Sequence, residues 1–485
     1  MKMVGAILKW FVIVVLVVVV GFTILHKFFN LRVEALGQGY VPHFYFFDPE
    51  KHYTELEKQR AAQTGLHPLG ATPGVPINAH IEKGPERAAD RITSDAPATV
   101  EHPYWTNFRG PHRDGVYDET PVNTAWPAAG LPVLWKQPIG GGYASFVVAA
   151  GRAFTIEQRR DKEVVAAYDV DSGRELWTNG WPALFSETLG GDGPRATPTW
   201  DDGRVYALGA TGELRCLRAE SGERLWSRNI LEDNQAGNLQ WGMAGSPLIV
   251  DDKVIVLPGG GAGKSVAAYN KVTGQPVWTS QNDKQGYVSP KLVTIAGERQ
   301  IVVVSASRVM GLKIDDGHML WEFPWYTSPE TNATEPVFLD DHRFFISSGY
   351  NHGAVLVDVS RNDDTFAAKQ LWVTKRMKTR FNAAVYYQGY LYGLDEGILS
   401  CLDAANGELK WKGGRYGYGQ VLLASGHLIV LTEDGDLALV KASPEKLEEI
   451  SRFPVLDGKT WNYPAIDGGR LLVRNTTQMA ALKIM

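Results

Sequence analysis

Gly173-Arg-Glu-Leu-Trp177 is one copy of a five-residue element that returns as Gly222-Glu-Arg-Leu-Trp226, Gly274-Gln-Pro-Val-Trp278, Gly317-His-Met-Leu-Trp321 and Gly407-Glu-Leu-Lys-Trp411. Trp372 holds the same repeat position without its glycine, and Trp135 stands one period earlier. From Trp135 to Trp411 the successive spacings are 42, 49, 52, 43, 51 and 39 residues. A period of this length marks a repeat architecture, in which each unit buries its apolar faces against its neighbours.

Each unit divides into four short apolar runs separated by turns. The second reads Thr197-Pro-Thr-Trp200, the turn Asp201-Asp-Gly203, Arg204-Val-Tyr-Ala-Leu208, Glu213-Leu-Arg-Cys-Leu217, the turn Glu220-Ser-Gly222, then Glu223-Arg-Leu-Trp226. Four strands per period predict propeller blades. Matching units begin near Ser145, Thr197, Ser246, Ser289, Glu335, Ala383, Val421 and Pro464. The last has room for only three strands, and Pro132-Val-Leu-Trp135-Lys-Gln137 can supply the fourth. The expected fold is all-β: an eight-bladed β-propeller of four-stranded antiparallel blades. An N-terminal strand closes the ring, so that no sheet edge is left open there.

Residues 4–25 are apolar apart from Lys9 and predict one transmembrane helix, long enough to cross a bilayer with Lys9 snorkelling. The run exceeds the apolar core of a cleaved signal peptide, and Gly-Phe-Thr-Ile-Leu-His-Lys offers no small-x-small cleavage site. The expected layout is a signal-anchor helix over 1–29, a tether with a short helix from Asp48-Pro49 to about Gln63 over 30–103, and the propeller over 104–485. Tyr104-Trp105 to Gly115, rich in aromatics, is expected to pack on the propeller. A net charge of −5 without a basic cluster argues against nucleic-acid binding. The two cysteines each lie ten residues before a repeat tryptophan, Cys216 before Trp226 and Cys401 before Trp411. Four repeats apart in a ring of eight, they stand on opposite sides, too far for a disulfide.

Ala167-Tyr-Asp169-Val-Asp-Ser-Gly173 leading to Trp177, Ala268-Tyr-Asn270-Lys-Val-Thr-Gly274 leading to Trp278, and Leu402-Asp403-Ala-Ala-Asn-Gly407 leading to Trp411 resemble the PQQ-like β-propeller repeat, Ala-x-Asp-x-x-Thr-Gly-x-x-x-Trp. The resemblance covers roughly residues 131–485 and implies that the tryptophans dock between blades. It points to two branches. One is similar to the BamB-type outer-membrane assembly factor, an exported binding scaffold without catalytic activity. The other is the quinoprotein dehydrogenases, which hold pyrroloquinoline quinone and Ca²⁺ in the central funnel. Their alcohol dehydrogenases typically carry a vicinal cysteine pair, which Cys216 and Cys401 cannot form.

In a four-stranded blade the connections entering the first strand share one face with the turns between the second and third strands. The long connections 178–195, 227–246 and 322–335 lie there, so that face is the candidate site. The strand entrances bring together Tyr143, Arg195, Trp241, Tyr287, Glu335, Asn382, Tyr418 and Trp461. On the quinoprotein reading Glu335 and Asn382 would ligate Ca²⁺, Trp241 or Trp461 would stack on the quinone, and Arg195 would pair its carboxylates. No second carboxylate joins Glu335, whereas a Ca²⁺ site wants several oxygen ligands. Tyr350-Asn-His352 falls on the same face, and His352 has no histidine partner for a transition metal. Gly259-Gly-Gly-Ala-Gly263-Lys264-Ser265 lacks the first glycine of a phosphate loop, Pro258 standing in its place, and a strand follows it. No Gly-x-Ser-x-Gly elbow is present. The expectation is a membrane-anchored, periplasmic or otherwise extracytoplasmic scaffold for an envelope protein partner, with no cofactor. The alternative is a quinoprotein oxidoreductase using pyrroloquinoline quinone and calcium.

Overall fold

The computed structural model describes residues 2–36, 41–64, 104–188, 190–328 and 330–485. Eight four-stranded antiparallel sheets follow one another as the sequence predicts, blades 1 to 7 over 147–182, 199–229, 248–280, 291–324, 337–374, 385–415 and 420–454. Blade 8 takes Ala465–Asp467, Arg470–Arg474 and Gln478–Lys483 from the C-terminus, and its outer strand, Val133–Pro138, from the other end of the chain. Trp135 lies opposite Ala481 in that pairing.

Each blade carries a register shift between its third and fourth strands, one residue past the pair that contains the repeat tryptophan in seven blades. In blade 2 Cys216 pairs with Trp226, while the next residue, Leu217, pairs with Arg224. A bulge of this kind bends the outer strand and re-aims its side chains. The indole then points at the neighbouring blade. Nε1 of Trp135, Trp177, Trp226, Trp278, Trp372 and Trp411 donates to the carbonyl of Val170, Ala219, Lys271, Ile314, Ala404 and Ser443 respectively, at 2.8–3.1 Å. Five of these rings lie on the glycine of the next blade's element. A Cβ added at Gly173, Gly222, Gly274, Gly317 or Gly407 would stand 2.4–2.7 Å from the indole. Trp321 departs from the family pattern: blade 5 offers no glycine, and Nε1 donates instead to Gln300 Oε1 at 2.6 Å within its own blade, with the ring stacked on Phe344.

Nearer the axis a second set of contacts joins the blades. The Ser145, Thr197, Ser246 and Ser289 backbone N–H groups donate to Thr197 Oγ1, Ser246 Oγ, Ser289 Oγ and Glu335 Oε1, at 2.8–3.1 Å. Thr334 bonds Thr379, and the amides of Asn382, Gln420 and Asn462 donate to Gly419 O, Trp461 O and Ala144 O. All eight junctions are therefore bridged at the strand entrances.

The opposite end of the channel is closed by the segment from Tyr104 to Tyr117, packed on the propeller as expected. Trp105 is buried, and its carbonyl accepts from Val148 N. Arg109 and Arg113, both at positive φ, are buried on the inner strands. Arg113 donates to Pro290 O at 3.0 Å, Ser246 O at 3.3 Å, Thr199 Oγ1 at 3.2 Å and Pro247 O. Val116–Tyr117 then pairs in parallel with Leu423–Ala424 of blade 7.

Lys2–Phe29 is a helix whose segment Trp10–Phe29, with mean hydropathy 2.6, is long and apolar enough to cross a membrane; a signal sequence meets the same criterion. A hairpin of Leu31–Leu36 and Val41–Phe46 follows. The helix expected from Pro49 runs to Thr64, with Asp48 Oδ1 capping Lys51 N. It docks on the closure of the ring: Arg60 donates to Gln137 Oε1 and Pro138 O at 2.6 and 2.7 Å, and Arg160 pairs with Glu50 and Glu57. The part of the tether from Leu66 to Val100 lies outside the described residues.

Two measurements test this account. Gly151 and Gly222 share a positive φ, but nothing lies within 4 Å of a Cβ at Gly151, whereas at Gly222 the Trp177 ring is 2.4 Å away. In urea unfolding of the detergent-solubilised chain, Gly151→Ala is expected to cost about 1 kcal/mol from backbone strain alone. Gly222→Ala should cost at least about 2 kcal/mol more; equal costs would show that the indole contact is not what requires the glycine. Cys216 and Cys401 are free and buried, and burial pushes the Cys401 thiol up to about 12. Both should resist a disulfide-exchange reagent in the folded protein and react only after denaturation; a thiol titrated under native conditions would contradict their placement.

Candidate functional site

The loops on the strand-entrance face enclose a funnel-shaped cavity of about 380 Å³. Seven of the eight entrance residues read from the sequence line it: Tyr143, Arg195, Trp241, Tyr287, Glu335, Tyr418 and Trp461. Asn382 does not. It is buried behind the wall, where its Nδ2 donates to Gly419 O at 3.0 Å and its Oδ1 accepts from Arg380 N at 3.2 Å. Sequence reasoning missed Arg380 and Phe381, as well as Phe108, which rises from the segment that closes the channel, whereas Tyr350 lines the cavity from a loop placed on this face. The first two immediately precede Asn382 in the chain, and Tyr350 begins the loop that carries His352. That histidine meets the Trp325 ring edge-on at 4.4 Å, and burial lowers its pKa.

An aromatic arc runs along the wall. Ring centroids are 5.4 Å apart for Tyr143 and Trp461, 4.7 Å for Trp461 and Phe381, and 5.7 Å for Phe381 and Tyr418. A guanidinium stands at each end. Arg195 lies 5.6 Å from the Tyr143 ring centroid, and Arg380 lies 4.5 Å from that of Tyr418 and 4.9 Å from that of Tyr350. Arg195 donates to Gly191 O at 2.9 Å and to Gly193 O, and burial lowers its pKa. Burial raises the phenols of Tyr287 and Tyr350 and pushes Tyr418 up to about 12. These phenols therefore stay neutral at physiological pH. Trp241 packs against Tyr287 across the funnel, centroids 5.4 Å apart.

Residues 160–413, a little over half the chain, match the family described as outer membrane protein assembly factor BamB. This chain belongs to that family. BamB from Burkholderia pseudomallei (strain K96243) is 21% identical over 364 residues, covering 65% of this chain and 89% of that protein. The crystal structure of BamB from Moraxella catarrhalis superposes with a TM-score of 0.53 at 14% identity, over 73% of this chain and 99% of that one. The quinohemoprotein alcohol dehydrogenase from Comamonas testosteroni superposes with a TM-score of 0.55 at 13% identity, over 79% of this chain and 80% of the dehydrogenase. At these identities the structural likenesses show the propeller fold alone.

The residues present do not fit a quinone and calcium pair. Glu335 is the one carboxylate on the funnel wall among the described residues; its Oε1 is occupied by Ser289 N–H, which leaves only its buried, unpartnered Oε2. Asn382, the second oxygen donor considered, is committed to neighbouring backbone. Calcium needs six to eight oxygens, commonly with more than one carboxylate. Glu335 instead continues the series Thr197, Ser246, Ser289 as the acceptor that bridges one blade to the next. Among the described residues, Asp340, Asp341 and His342 could meet on an ion, but they sit on the opposite face and already bond each other and Arg343.

Beside the funnel, Glu163 is wholly buried at the junction of blades 1 and 2, and Ala210 N–H donates to its Oε1 at 2.8 Å. Burial pushes its carboxyl up to about 7 against the lowering effect of that bond. The folded protein thus holds the proton more tightly than the unfolded chain, where the group titrates near 4.5. Stability contributed by Glu163 is greatest below that value, falls as pH rises towards about 7, and is level above it. Glu163→Gln should therefore gain on the wild type by up to about 3 kcal/mol across that window in urea unfolding at a series of pH values. A difference independent of pH would contradict the assignment.

Proposed function

We propose that this chain is a membrane-tethered scaffold of the cell envelope. Its propeller is carried on the extracytoplasmic side and holds a protein partner on the funnel face without catalysing a reaction. The carrying observation is the composition of the funnel: walls of aromatic rings, two guanidinium groups, and one carboxylate, one of whose oxygens joins two blades. Such a lining offers adhesive apolar surface and anchoring charge, the features that dominate protein recognition. Its titratable lining among the described residues is Glu335 and phenols that burial keeps neutral, a set poorly matched to proton transfer near neutral pH. Membership in the BamB family supports the envelope role, and Trp10–Phe29 supplies the apolar helix for the tether.

The test is photo-crosslinking in cells, with a photoreactive residue in place of Tyr287 on the funnel wall or of Asp363 at the turn on the opposite face. A discrete crosslink to one envelope protein from the funnel position, and none from the other, is expected. Labelling with no discrete partner would remove the scaffold reading. The quinoprotein alternative is met by titrating the chain with pyrroloquinoline quinone and Ca²⁺ while following the melting temperature. A ligand at about 100 times its Kd would stabilise the fold by about 2.7 kcal/mol; no calcium-dependent shift is expected, and a saturable one with dye reduction would reinstate the oxidoreductase.

A further inference from the structure

The funnel contains buried polar groups that its own fold leaves unanswered. Among the described residues the Arg380 guanidinium makes no hydrogen bond and no ion pair; its Nε is buried, and its neighbours are the rings of Tyr350 and Tyr418. The hydroxyl of Tyr418 is also buried without a partner. Buried donors are nearly always paired, because an unpaired one costs the desolvation of the group. Here two donors converge on one end of the aromatic arc. The other end carries Arg195, whose bonds go to backbone carbonyls and whose charge meets no carboxylate within ion-pair distance among the described residues. Glu335 does not serve either cation, since its charge is opposed by Arg113 and Lys291.

Resting on the scaffold reading, we propose that the funnel is a carboxylate-recognition site for an acidic segment of the partner polypeptide. An Asp or Glu side chain is received by Arg380 and the Tyr418 hydroxyl, and an adjacent apolar side chain lies along Phe381 and Trp461. The stacking of Arg380 between two rings fits this role, since it presents a flat, weakly hydrated guanidinium whose edge donors are free for both oxygens of a carboxylate. The apolar arc accounts for a neighbouring residue of the same segment, which a bare anion would leave uncovered. A polypeptide also matches the open mouth of the funnel, through which a chain can enter and leave.

The test is isothermal titration of the full chain in detergent with two acetylated, amidated pentapeptides, Gly-Phe-Asp-Phe-Gly and Gly-Phe-Asn-Phe-Gly. The acidic peptide should bind about tenfold tighter or more, and raising the salt should narrow the gap. Arg380→Gln should abolish the difference while leaving the melting temperature near that of the wild type. Equal binding of the two peptides, no binding of either, or an undiminished preference in Arg380→Gln would overturn the inference. Phenylacetate binding as tightly as the acidic peptide would also overturn it, since the site would then serve a free small acid. The crosslinking experiment separates this claim from the one beneath it. If Arg380→Gln still captures the envelope partner at full yield, the scaffold stands and the carboxylate site falls. If the wild type captures nothing, the scaffold itself falls.

Discussion

The ring depends on an indole from one blade lying against a glycine of the next. That glycine serves two purposes at once. Its φ of 67–74° makes the turn into the outer strand, and its missing side chain is the floor on which the neighbouring ring rests. A bulge one residue from the tryptophan pairing points the indole across the junction, and Nε1 then finds a carbonyl that the turn has left free. Because this contact joins neighbours only, it sets a period rather than a single core. It also governs closure, since Trp135 of the N-terminal strand rests on Gly173 of blade 1 as Trp177, Trp226, Trp278 and Trp372 rest on their glycines. The strand that completes blade 8 is therefore also the one that locks blade 8 to blade 1, and the helix from Pro49 to Thr64 clamps it from outside.

Where the interlock fails, the structure substitutes ordinary apolar packing. Blade 5 has two ten-residue strands joined at Asp363 in place of the glycine turn. Trp321 is turned inward, and the junction of blades 4 and 5 is filled by Val293, Val304, Phe344, Val357 and Val359 in one cluster. The polar bridges at the strand entrances are indifferent to this change. Glu335 crosses the same junction to Ser289 N–H, its longer side chain reaching the position that a serine or threonine hydroxyl takes in the preceding blades. Six of the eight junctions thus carry an indole at the rim in addition to the polar bridge at the axis.

The rim was legible in the sequence, and the axis was not. Tryptophans, glycines and Asp-Gly turns announce blades because only those residues fit the positive φ and the stacked ring, so eight blades, their closure and the opposed positions of Cys216 and Cys401 could all be read by counting. At the axis every entrance residue is polar or aromatic whether it faces the cavity or the next blade. Side-chain direction decides between the two, and spacing carries no signal for it. Asn382 and Glu335 are both joints between blades, yet only Glu335 also faces the cavity. Arg380 was overlooked because Asn382, two residues on, carried the repeat position. Arg109 and Arg113 were hidden in a segment whose aromatics predicted packing but whose positive-φ arginines gave no hint of reaching the channel.

The two layers also constrain what the funnel can do. A ring bonded at all eight junctions has little freedom to close over a ligand, so recognition must rest on groups already in place. The segment of Arg109 and Arg113 blocks the far end, and whatever enters the mouth must leave by it. On the carboxylate proposal, a preformed, blind and aromatic recess tolerates the cost of the unpaired Arg380 and Tyr418 donors because the geometry is fixed before a ligand arrives, and little ordering entropy then remains to be lost on binding. The same rigidity explains why Arg380 can remain without a protein partner: Asn382, whose amide joins blade 6 to blade 7, also accepts the Arg380 N–H, so the residue that tightens the ring holds the arginine's backbone at the funnel wall. Asn382 thus stands behind the funnel wall as a joint between blades while fixing the backbone of the arginine that faces the cavity.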